Sequence, residues 1–280
     1  MYLEQCVESI LCSTYHDIEV ILVNDCSPDK CGAICDEFAS KDTRIKVLNH
    51  ASNLGIAIAR ETGTLASKGD YIMYVDSDDY IAPNMIEVLV DNAIAKGADI
   101  VQCGGKYTTY VWGKLFKSPI IKKYYTDMNC IPHNEFNIPI YHDDVLITLY
   151  CRLASKEIVI LADELYFYRI HGESITRAKY KPNRENVHTV LVNGVRKIYE
   201  IFGVVDQYKD DFDRYEYIDA ASTAKNILFY PIPKKEKIQR IKQLRHGVKA
   251  CKTDYKGLKA RVFLFLFKHN LIWLMVTLGK

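Results

Sequence analysis

The chain has 280 residues, enough for one large α/β domain with an accessory region or for two small domains. Hydrophobic residues make up 49% and charged residues 26%, as in ordinary soluble globular proteins. The formal charge of +2 does not indicate nucleic-acid binding, and we expect no nucleic-acid partner. The nine cysteines include no Cys-x-x-Cys pair, so we expect reduced thiols and a cytoplasmic location.

Helical patterns alternate with short apolar segments in the first part of the chain. The helical patterns cover residues 2–11, 32–40, 56–67 and 84–96, and the apolar segments cover 18–23, 45–48, 71–75 and 100–102. Strands that alternate with helices predict βαβ units and a mostly parallel sheet flanked by helices. In such sheets ligands bind beyond the carboxyl ends of the strands, and two strands here run into Asp25 and Asp76.

The pattern is less regular from residue 106 to residue 141. A helix is predicted over residues 144–153 and a strand over 158–161, and beyond about residue 177 the chain is mostly helical and basic. We therefore predict an α/β domain over residues 1–176 and a helical, basic region over residues 177–280.

Three carboxylates, Asp76, Asp78 and Asp79, follow the apolar segment 71–75 and would repel one another. A divalent cation would remove this repulsion and would also neutralise a departing diphosphate. The alternative is a polar turn in which Asp79 caps the next helix. Asp25 could accept a hydrogen bond from a base imide or form an Asx turn. The sequence lacks Gly-x-Gly-x-x-Gly and a phosphate-binding loop, which counts against dehydrogenases and ordinary kinases.

Seven short motifs follow one another in a fixed order along the predicted α/β domain. They are Tyr2-Leu3-Glu4-Gln5-Cys6, Ile21-Leu22-Val23-Asn24-Asp25, Asn53-Leu54-Gly55, Ala59-Arg60, Val75-Asp76-Ser77-Asp78-Asp79, Trp112-Gly113-Lys114-Leu115-Phe116 and Leu165-Tyr166-Phe167-Tyr168-Arg169. This series resembles family-2 glycosyltransferases of the bacterial polysaccharide-assembly type. The resemblance implies the Rossmann-like GT-A fold for residues 1–176.

The resemblance also implies roles for individual residues. Asp25 would bind the uracil, Asp76 and Asp78 would bind ribose and metal, and Asp144 in the acidic pair Asp143-Asp144 would be the catalytic base. Asp144 could also cap the helix that follows it, and the two roles are compatible. Asn53 and Arg60, in the matched motifs, are further candidates for nucleotide binding.

His171 is a second candidate metal ligand besides Asp78. A loop histidine could complete the shell of Mn²⁺ or Mg²⁺ or contact phosphate, although many such residues are only solvated. Arg169, close to it in the chain, could neutralise phosphate or form a structural ion pair.

The resemblance implies an inverting transfer from a nucleotide-sugar donor, with UDP as the expected nucleotide, to a saccharide or lipid-linked acceptor. Asp144 would take the proton of the acceptor hydroxyl, which attacks the anomeric carbon opposite the diphosphate. The sequence lacks the Gln-x-x-Arg-Trp element of processive synthases, which favours single additions in cell-surface polysaccharide synthesis.

Some positions depart from the family pattern. The chain starts inside the helix that normally follows the family's first strand, so we expect that strand to be missing and a strand edge to be open. Cys26 and Glu61 replace a usual glycine and a frequent asparagine. We therefore expect weak or absent activity from residues 1–280. The alternatives are a degenerate, non-catalytic scaffold and a nucleotidyltransferase, although the latter normally has a glycine-rich basic loop near its start.

Residues 234–261 are strongly basic and precede the apolar segments 262–267 and 271–278. Lys268-His269-Asn270 separates the two segments, which are too short and too polar to span a bilayer. The pattern predicts an interfacial helix on an anionic membrane, at the inner face of the cell membrane. The alternative is a terminal helix packed on the core, with a solvated basic face.

Overall fold

The structure is a computed structural model that describes residues 2–106, 108–128, 143–170, 184–251 and 258–278. The chain divides into two compact units, Met1–Ile170 and His171–Lys280. The predicted boundary between residues 176 and 177 lies outside the described residues.

Helices and strands alternate along the first unit, as the sequence predicts. The elements are α1 (Tyr2–Leu11), β1 (Val20–Asn24), α2 (Cys31–Lys41), β2 (Ile45–Asn49), α3 (Ile56–Ala66), β3 (Tyr71–Met73), β4 (Tyr80–Ile81), α4 (Met85–Lys96), β5 (Ile100–Gln102), β6 (Lys114–Lys117), α5 (Ser118–Met128), α6 (Asp143–Ala154), β7 (Ile158–Ile160) and β8 (Tyr166–Phe167). Up to β5 their bounds lie within about two residues of the predicted ones, an ordinary difference for element ends, except that the short strand β4 is not predicted. β6 and α5 occupy a stretch for which the sequence predicts no regular structure.

The strands pair in both orientations. β1 pairs with β2 in parallel, and a second sheet has the order β3-β6-β5-β7. Within it β5 and β7 are parallel, whereas β6 is antiparallel to β3 and to β5. The short strands β4 and β8 form a separate antiparallel pair.

The sequence predicts a mostly parallel sheet, and β6 is the main departure from that prediction. The loop 103–113 connects β5 to β6 without a helix, and a parallel connection normally needs a longer crossover. In the described residues β1 and β3 each have one paired strand neighbour, β2 and β6. The predicted loss of the family's first strand stays a prediction.

α4 supplies much of the core on which the sheet rests. Met85, Leu89 and Ala93, spaced four residues apart on one face, are at most 1% exposed and pack with Val101 of β5. Burying each large apolar side chain contributes roughly 1.5–3 kcal/mol. α4 ends at Gly97, whose φ of 62° lets the chain turn towards β5.

The described elements of the second unit are helical. They are α7 (Arg184–Ile201), α8 (Lys209–Ile227), α9 (Lys234–Arg245), α10 (Leu258–Lys268) and α11 (Ile272–Leu278). A core of its own includes Tyr217 from α8, Ile241 from α9, Phe267 from α10 and Ile272 from α11. In the part of the chain that the structure describes, no helix is both long enough and apolar enough to cross a membrane.

Candidate active site

The acidic turn that follows β3 is built around Asp79. This side chain is completely buried, and it accepts hydrogen bonds from the backbone N–H of Arg169 (2.7 Å) and from the Tyr166 hydroxyl (2.7 Å). The Asp79 N–H in turn donates to the carbonyl of Asp76 (2.9 Å). Asn84, not Asp79, occupies the N-cap position of α4. The interpretation of Asp79 as a helix cap is therefore wrong, because its carboxylate joins the turn to the segment that follows β8.

Tyr166 and Arg169 hold the same turn through its backbone. The Tyr166 hydroxyl accepts a hydrogen bond from the Asp76 N–H (3.0 Å), and Arg169 Nε donates to the Asp78 carbonyl (2.8 Å). Arg169 also donates through Nη2 to Gln5 Oε1 (2.8 Å) in α1. Its contacts are therefore structural, and they fix the backbone from which Asp76 and Asp78 project.

Arg60 connects three separate parts of the chain. Its side chain lies in α3 and is only 9% exposed. Nη1 donates to Asp143 Oδ1 (2.6 Å), Nη2 donates to Asp76 Oδ1 (3.2 Å), and Asp144 Oδ1 lies 3.8 Å from Nη1. One buried guanidinium thus pairs with carboxylates from the turn after β3 and from the first turn of α6.

The two aspartates that begin α6 differ in their surroundings. The Asp143 side chain is 6% exposed, and its buried Oδ2 has no hydrogen-bond partner among the residues that the structure describes. The Asp144 side chain is 18% exposed. Burial, followed by the nearby Asp143 carboxylate, raises the pKa of Asp144 to about 6, while Arg60 opposes the shift. Asp144 thus combines access to solvent with a pKa suited to accepting a proton near neutral pH.

Asp25 follows β1 and fixes the loop before α3. Its carboxylate accepts hydrogen bonds from the N–H groups of Leu54 (2.8 Å) and Gly55 (2.7 Å), and His50 Nδ1 lies 2.7 Å from Oδ1. Burial acts to raise the pKa of Asp25, but these hydrogen bonds lower it below its ordinary value. Asn53 is exposed in the loop that Asp25 holds. The Asx-type bond to the Ser27 N–H comes from Asn24, not from Asp25.

The predicted site residues therefore fall into two groups. Arg60 brings Asp76 and Asp144 together, with Asp78 in the same turn as Asp76, whereas Asp25 and Asn53 lie at the loop that leads into α3. His171 lies outside the described residues, so its role as a metal ligand stays a prediction.

Three residues that organise the site had no role assigned from the sequence: Asp143, His50 and Tyr166. Asp143 and Tyr166 each lie within a motif that the sequence does single out, the acidic pair and Leu165–Arg169. His50 has no such signal, because its contacts to Asp25 and to Thr62 Oγ1 (3.0 Å) depend on the packing of α3 against β1.

Comparison with known proteins places this arrangement in a family. Residues 1–145 match the model of the family described as Glycosyl transferase family 2. The chain is 27% identical over 254 residues to the uncharacterized glycosyltransferase EpsJ of Bacillus subtilis, covering 76% of this chain and 70% of that protein. It is 34% identical over 212 residues to the glycosyltransferase GlyG of Streptococcus pneumoniae, covering 64% and 70%.

Solved structures share the fold at low sequence identity. Residues 1–349 of S. aureus TarS, in complex with UDP-GlcNAc, align with a TM-score of 0.61 and 16% identity, covering 100% of this chain and 88% of that one. The mannosyltransferase PcManGT from Pyrobaculum calidifontis, in complex with GDP-Man and Mn²⁺, aligns with a TM-score of 0.55 and 13% identity, covering 99% and 83%. These similarities confirm the predicted GT-A-like α/β fold.

Proposed function

Because the chain belongs to glycosyl transferase family 2, we propose that it moves one sugar at a time from a nucleotide-diphosphate donor to an acceptor hydroxyl, with inversion. The observation that carries this proposal is the cluster around Arg60. It joins Asp76, at the end of β3, to Asp143 and Asp144 at the start of α6. A buried cation that joins three carboxylates beyond a strand end is suited to a binding site for a charged substrate.

The donor is proposed to be a UDP-sugar. In the described structure Asp25 Oδ2 accepts one hydrogen bond, from Gly55 N–H, which leaves an oxygen lone pair for the imide N–H of uracil. Asn53 is exposed beside it and Asp76 would contact the ribose. Both terminal nitrogens of Arg60 contact carboxylates, so Arg60 would serve the nucleotide by holding Asp76 in place. The UDP-GlcNAc in the TarS structure supports this choice of donor.

The turn of Asp76 and Asp78 is proposed to hold Mn²⁺ or Mg²⁺, with Asp78 as the metal ligand and Asp76 at the ribose. Among the described residues no group of three or more His, Cys, Asp or Glu forms a metal-binding cluster. The Asp78 carboxylate nevertheless fits these cations, which commonly bind through one or two carboxylates plus substrate phosphates and water. When bound, the metal would neutralise the departing diphosphate. The Mn²⁺ in the PcManGT structure supports this part of the proposal. His171 would be a further ligand of the metal ion.

Asp144 is proposed to be the general base. With a pKa of about 6 it is mostly unprotonated at neutral pH and can take the proton of the acceptor hydroxyl. The acceptor oxygen then bonds to the anomeric carbon as the bond from that carbon to the diphosphate breaks. Because the attack comes from the opposite face, the configuration inverts without a covalent enzyme intermediate.

Exposed apolar side chains in α10 and α11 support the proposal that the protein contacts a membrane surface. Val262, Phe265 and Trp273 are 45%, 55% and 57% exposed. An apolar face of this kind suits the headgroup region of a bilayer. We propose that the enzyme acts at the cytoplasmic face of the cell membrane, where it would extend a saccharide or lipid-linked acceptor of a cell-surface polysaccharide.

The basic residues of α9 are less available than the sequence indicates. Lys237 donates to the Leu228 carbonyl, Arg240 pairs with Glu185 and Glu236, and Arg245 donates to backbone carbonyls. Lys235 and Lys242 remain exposed on this helix. The attraction to anionic lipid would therefore be weaker than the full basic run implies.

Calorimetry with UDP and Mn²⁺ tests the nucleotide site, and UDP release from UDP-glucose, UDP-galactose and UDP-GlcNAc tests turnover. We expect Asp78→Ala to weaken UDP binding by about 10-fold or more, since it removes a metal ligand. Asp144→Asn should bind UDP normally, but its turnover should fall by about 100-fold or more. Asp91→Asn, an exposed aspartate of α4, is the matched control and should change neither.

Each alternative has its own outcome in these experiments. Absence of UDP binding would favour the non-catalytic scaffold. Release of pyrophosphate from UTP would favour a nucleotidyltransferase. Normal turnover in Asp144→Asn would show that Asp144 is not the general base.

A further inference from the structure

Four aromatic rings stack beside the acidic turn. The Trp112 ring lies 4.9 Å from that of Tyr110, 4.8 Å from that of Tyr166 and 6.0 Å from that of Tyr168, with interplanar angles of 9°, 16° and 16°. Tyr166 is the ring whose hydroxyl bonds to the N–H of Asp76 and to Asp79. Tyr166, the ring of the aromatic stack nearest the core, therefore connects the stack to the turn that carries Asp78, the proposed metal ligand.

The loop that carries Tyr110 is tied to the helix that carries the proposed base. Thr148, one turn after Asp144 in α6, donates through Oγ1 to the Asp144 carbonyl (2.6 Å), and the same oxygen lies 3.2 Å from the Thr109 carbonyl. The buried Lys114 Nζ donates to Thr108 Oγ1 (2.8 Å) and to the Tyr110 carbonyl. The loop of the aromatic stack thus contacts α6 through Thr109, and the Trp112 backbone forms a strand bridge with Tyr74 just before the acidic turn.

Part of the aromatic stack packs in the core, whereas its outer rings face solvent. Tyr166 is 9% exposed and Trp112 is half-buried against the core, but Tyr110 is 48% and Tyr168 is 42% exposed. Two large, rigid rings held open to solvent beside a site indicate a binding surface, since aromatic burial is otherwise a strong source of stability.

We infer that Tyr110, Trp112 and Tyr168 form a stacking surface for a pyranose ring of the saccharide acceptor. The inference rests on the proposed function. A pyranose presents a face of C–H groups to an aromatic ring and hydroxyls around its edge, so it can stack while one hydroxyl points elsewhere. A sugar on this surface lies next to α6, from which Asp144 takes the hydroxyl proton, and next to the turn that holds the donor diphosphate.

The arrangement favours a sugar over the uracil of the donor. The residues proposed to bind the base, Asp25 and Asn53, lie at the loop before α3 and contact Leu54, Gly55 and His50. The aromatic stack is instead built from the loop before β6 and from the segment around β8. Asp76 lies between the two groups, since it bonds to Arg60 of α3 and to Tyr166 of β8.

Tryptophan fluorescence tests the inference directly. The chain has two tryptophans, so Trp273→Phe leaves Trp112 as the only one. This protein is titrated with methyl β-D-glucopyranoside, methyl β-D-galactopyranoside and methyl N-acetyl-β-D-glucosaminide, with and without UDP and Mn²⁺. We expect a saturable change in Trp112 emission with at least one sugar. Tyr110→Ala and Tyr168→Ala should each lower the affinity for that sugar by about 2- to 10-fold, the range for one aromatic contact.

Two control variants separate stacking from indirect effects. Tyr110→Phe keeps the ring and should retain the sugar affinity within about 2-fold. Phe229→Ala removes a ring in the second unit with the same 48% exposure as Tyr110 and should have no effect. UDP affinity by calorimetry should be unchanged in all of these proteins.

The outcomes distinguish this inference from the proposed function. Normal UDP binding without a response to any of the three sugars overturns the inference and leaves the proposed function standing. Loss of UDP affinity in Tyr110→Ala overturns it too, because the rings would then bind the base. Sugar binding that depends on Tyr110 without any UDP binding supports the sugar surface and counts against the proposed transferase.

Discussion

At the scale of single residues, Asp143 and Asp144 show how neighbouring carboxylates acquire different roles. Asp143 makes the shortest contact with Arg60, at 2.6 Å, and is almost fully buried. Asp144 lies farther from Arg60, at 3.8 Å, and keeps access to solvent. The guanidinium therefore stabilises the charge of Asp143 more directly, whereas the charged form of Asp144 is disfavoured by burial and by its neighbour.

The raised pKa of Asp144 has a consequence for stability. The folded protein holds this proton more tightly than the unfolded chain, whose carboxyl titrates near 3.8. The stability from this group is therefore complete below about pH 4 and is lost as pH rises through about 6. We expect Asp144→Asn to increase the free energy of unfolding at pH 7.5 by about 1 to 3 kcal/mol and to change it little at pH 4. Urea unfolding at the two pH values measures this.

Asp143→Asn is the matched comparison and should act in the opposite direction. It removes the charge closest to the buried Arg60, so we expect a loss of about 3 kcal/mol at pH 7.5. A destabilised Asp144→Asn, or equal effects of the two substitutions, would contradict the different roles assigned to these residues.

At the scale of elements, the two-residue strand β8 positions a side chain that holds the acidic turn. It pairs only with β4 among the described strands, yet it places Tyr166 against the turn that follows β3. The Tyr166 hydroxyl satisfies both the Asp76 N–H and the fully buried Asp79 carboxylate. A short antiparallel pair thus fixes the geometry of the candidate nucleotide site.

Tyr166→Phe tests this coupling of strand and site. The substitution keeps the stacked ring but leaves two polar groups without this partner, so we expect a loss of about 1 to 3 kcal/mol in the free energy of unfolding. The affinity for UDP with Mn²⁺ should also fall, because the turn is less well held. Tyr168→Phe removes the hydroxyl of a residue that is 42% exposed and should change neither quantity. Unchanged UDP affinity in Tyr166→Phe would show that the turn is fixed by other contacts.

At the scale of the whole molecule, each unit has its own core, and the second unit carries exposed apolar side chains. The structure shows the packing of the alternative in part of α10 and α11, whereas the predicted interfacial segment stays a prediction. Phe267 and Ile272 pack in the helical core, as in the alternative, while Phe265 and Trp273 face solvent. The exposed residues, not the whole segment, are therefore the ones expected to contact lipid.

Sedimentation with vesicles tests the proposed membrane contact. We expect the full chain to bind vesicles of three parts phosphatidylcholine to one part phosphatidylglycerol. The double substitution Phe265→Ser and Trp273→Ser should weaken this binding by about 10-fold or more, since two apolar side chains no longer enter the interface. Leu65→Ser, in the first unit and 55% exposed like Phe265, is the control. Equal binding by the double variant would exclude this surface.

The sequence by itself determined the order of the elements up to β5, except for the short strand β4, and it located Asp25 and Asp76 just after two of the strands. It did so because hydrophobic period and strand termini are local properties of the chain. The motif series also indicated the GT-A-like fold, which the solved structures confirm. The assignments of Asp25, Asn53, Arg60, Asp76, Asp78, Asp144 and His171 to binding or catalysis stay predictions.

Only the tertiary structure decided how these residues work together. It showed that Arg60 holds Asp76 and Asp143, that Asp79 supports the turn instead of capping α4, and that β6 runs antiparallel to its neighbours. These features depend on contacts between residues far apart in the chain, and a carboxylate's role follows from its burial and nearest charge. Neither property is present in the local pattern of residues, so both arise only when the chain is packed.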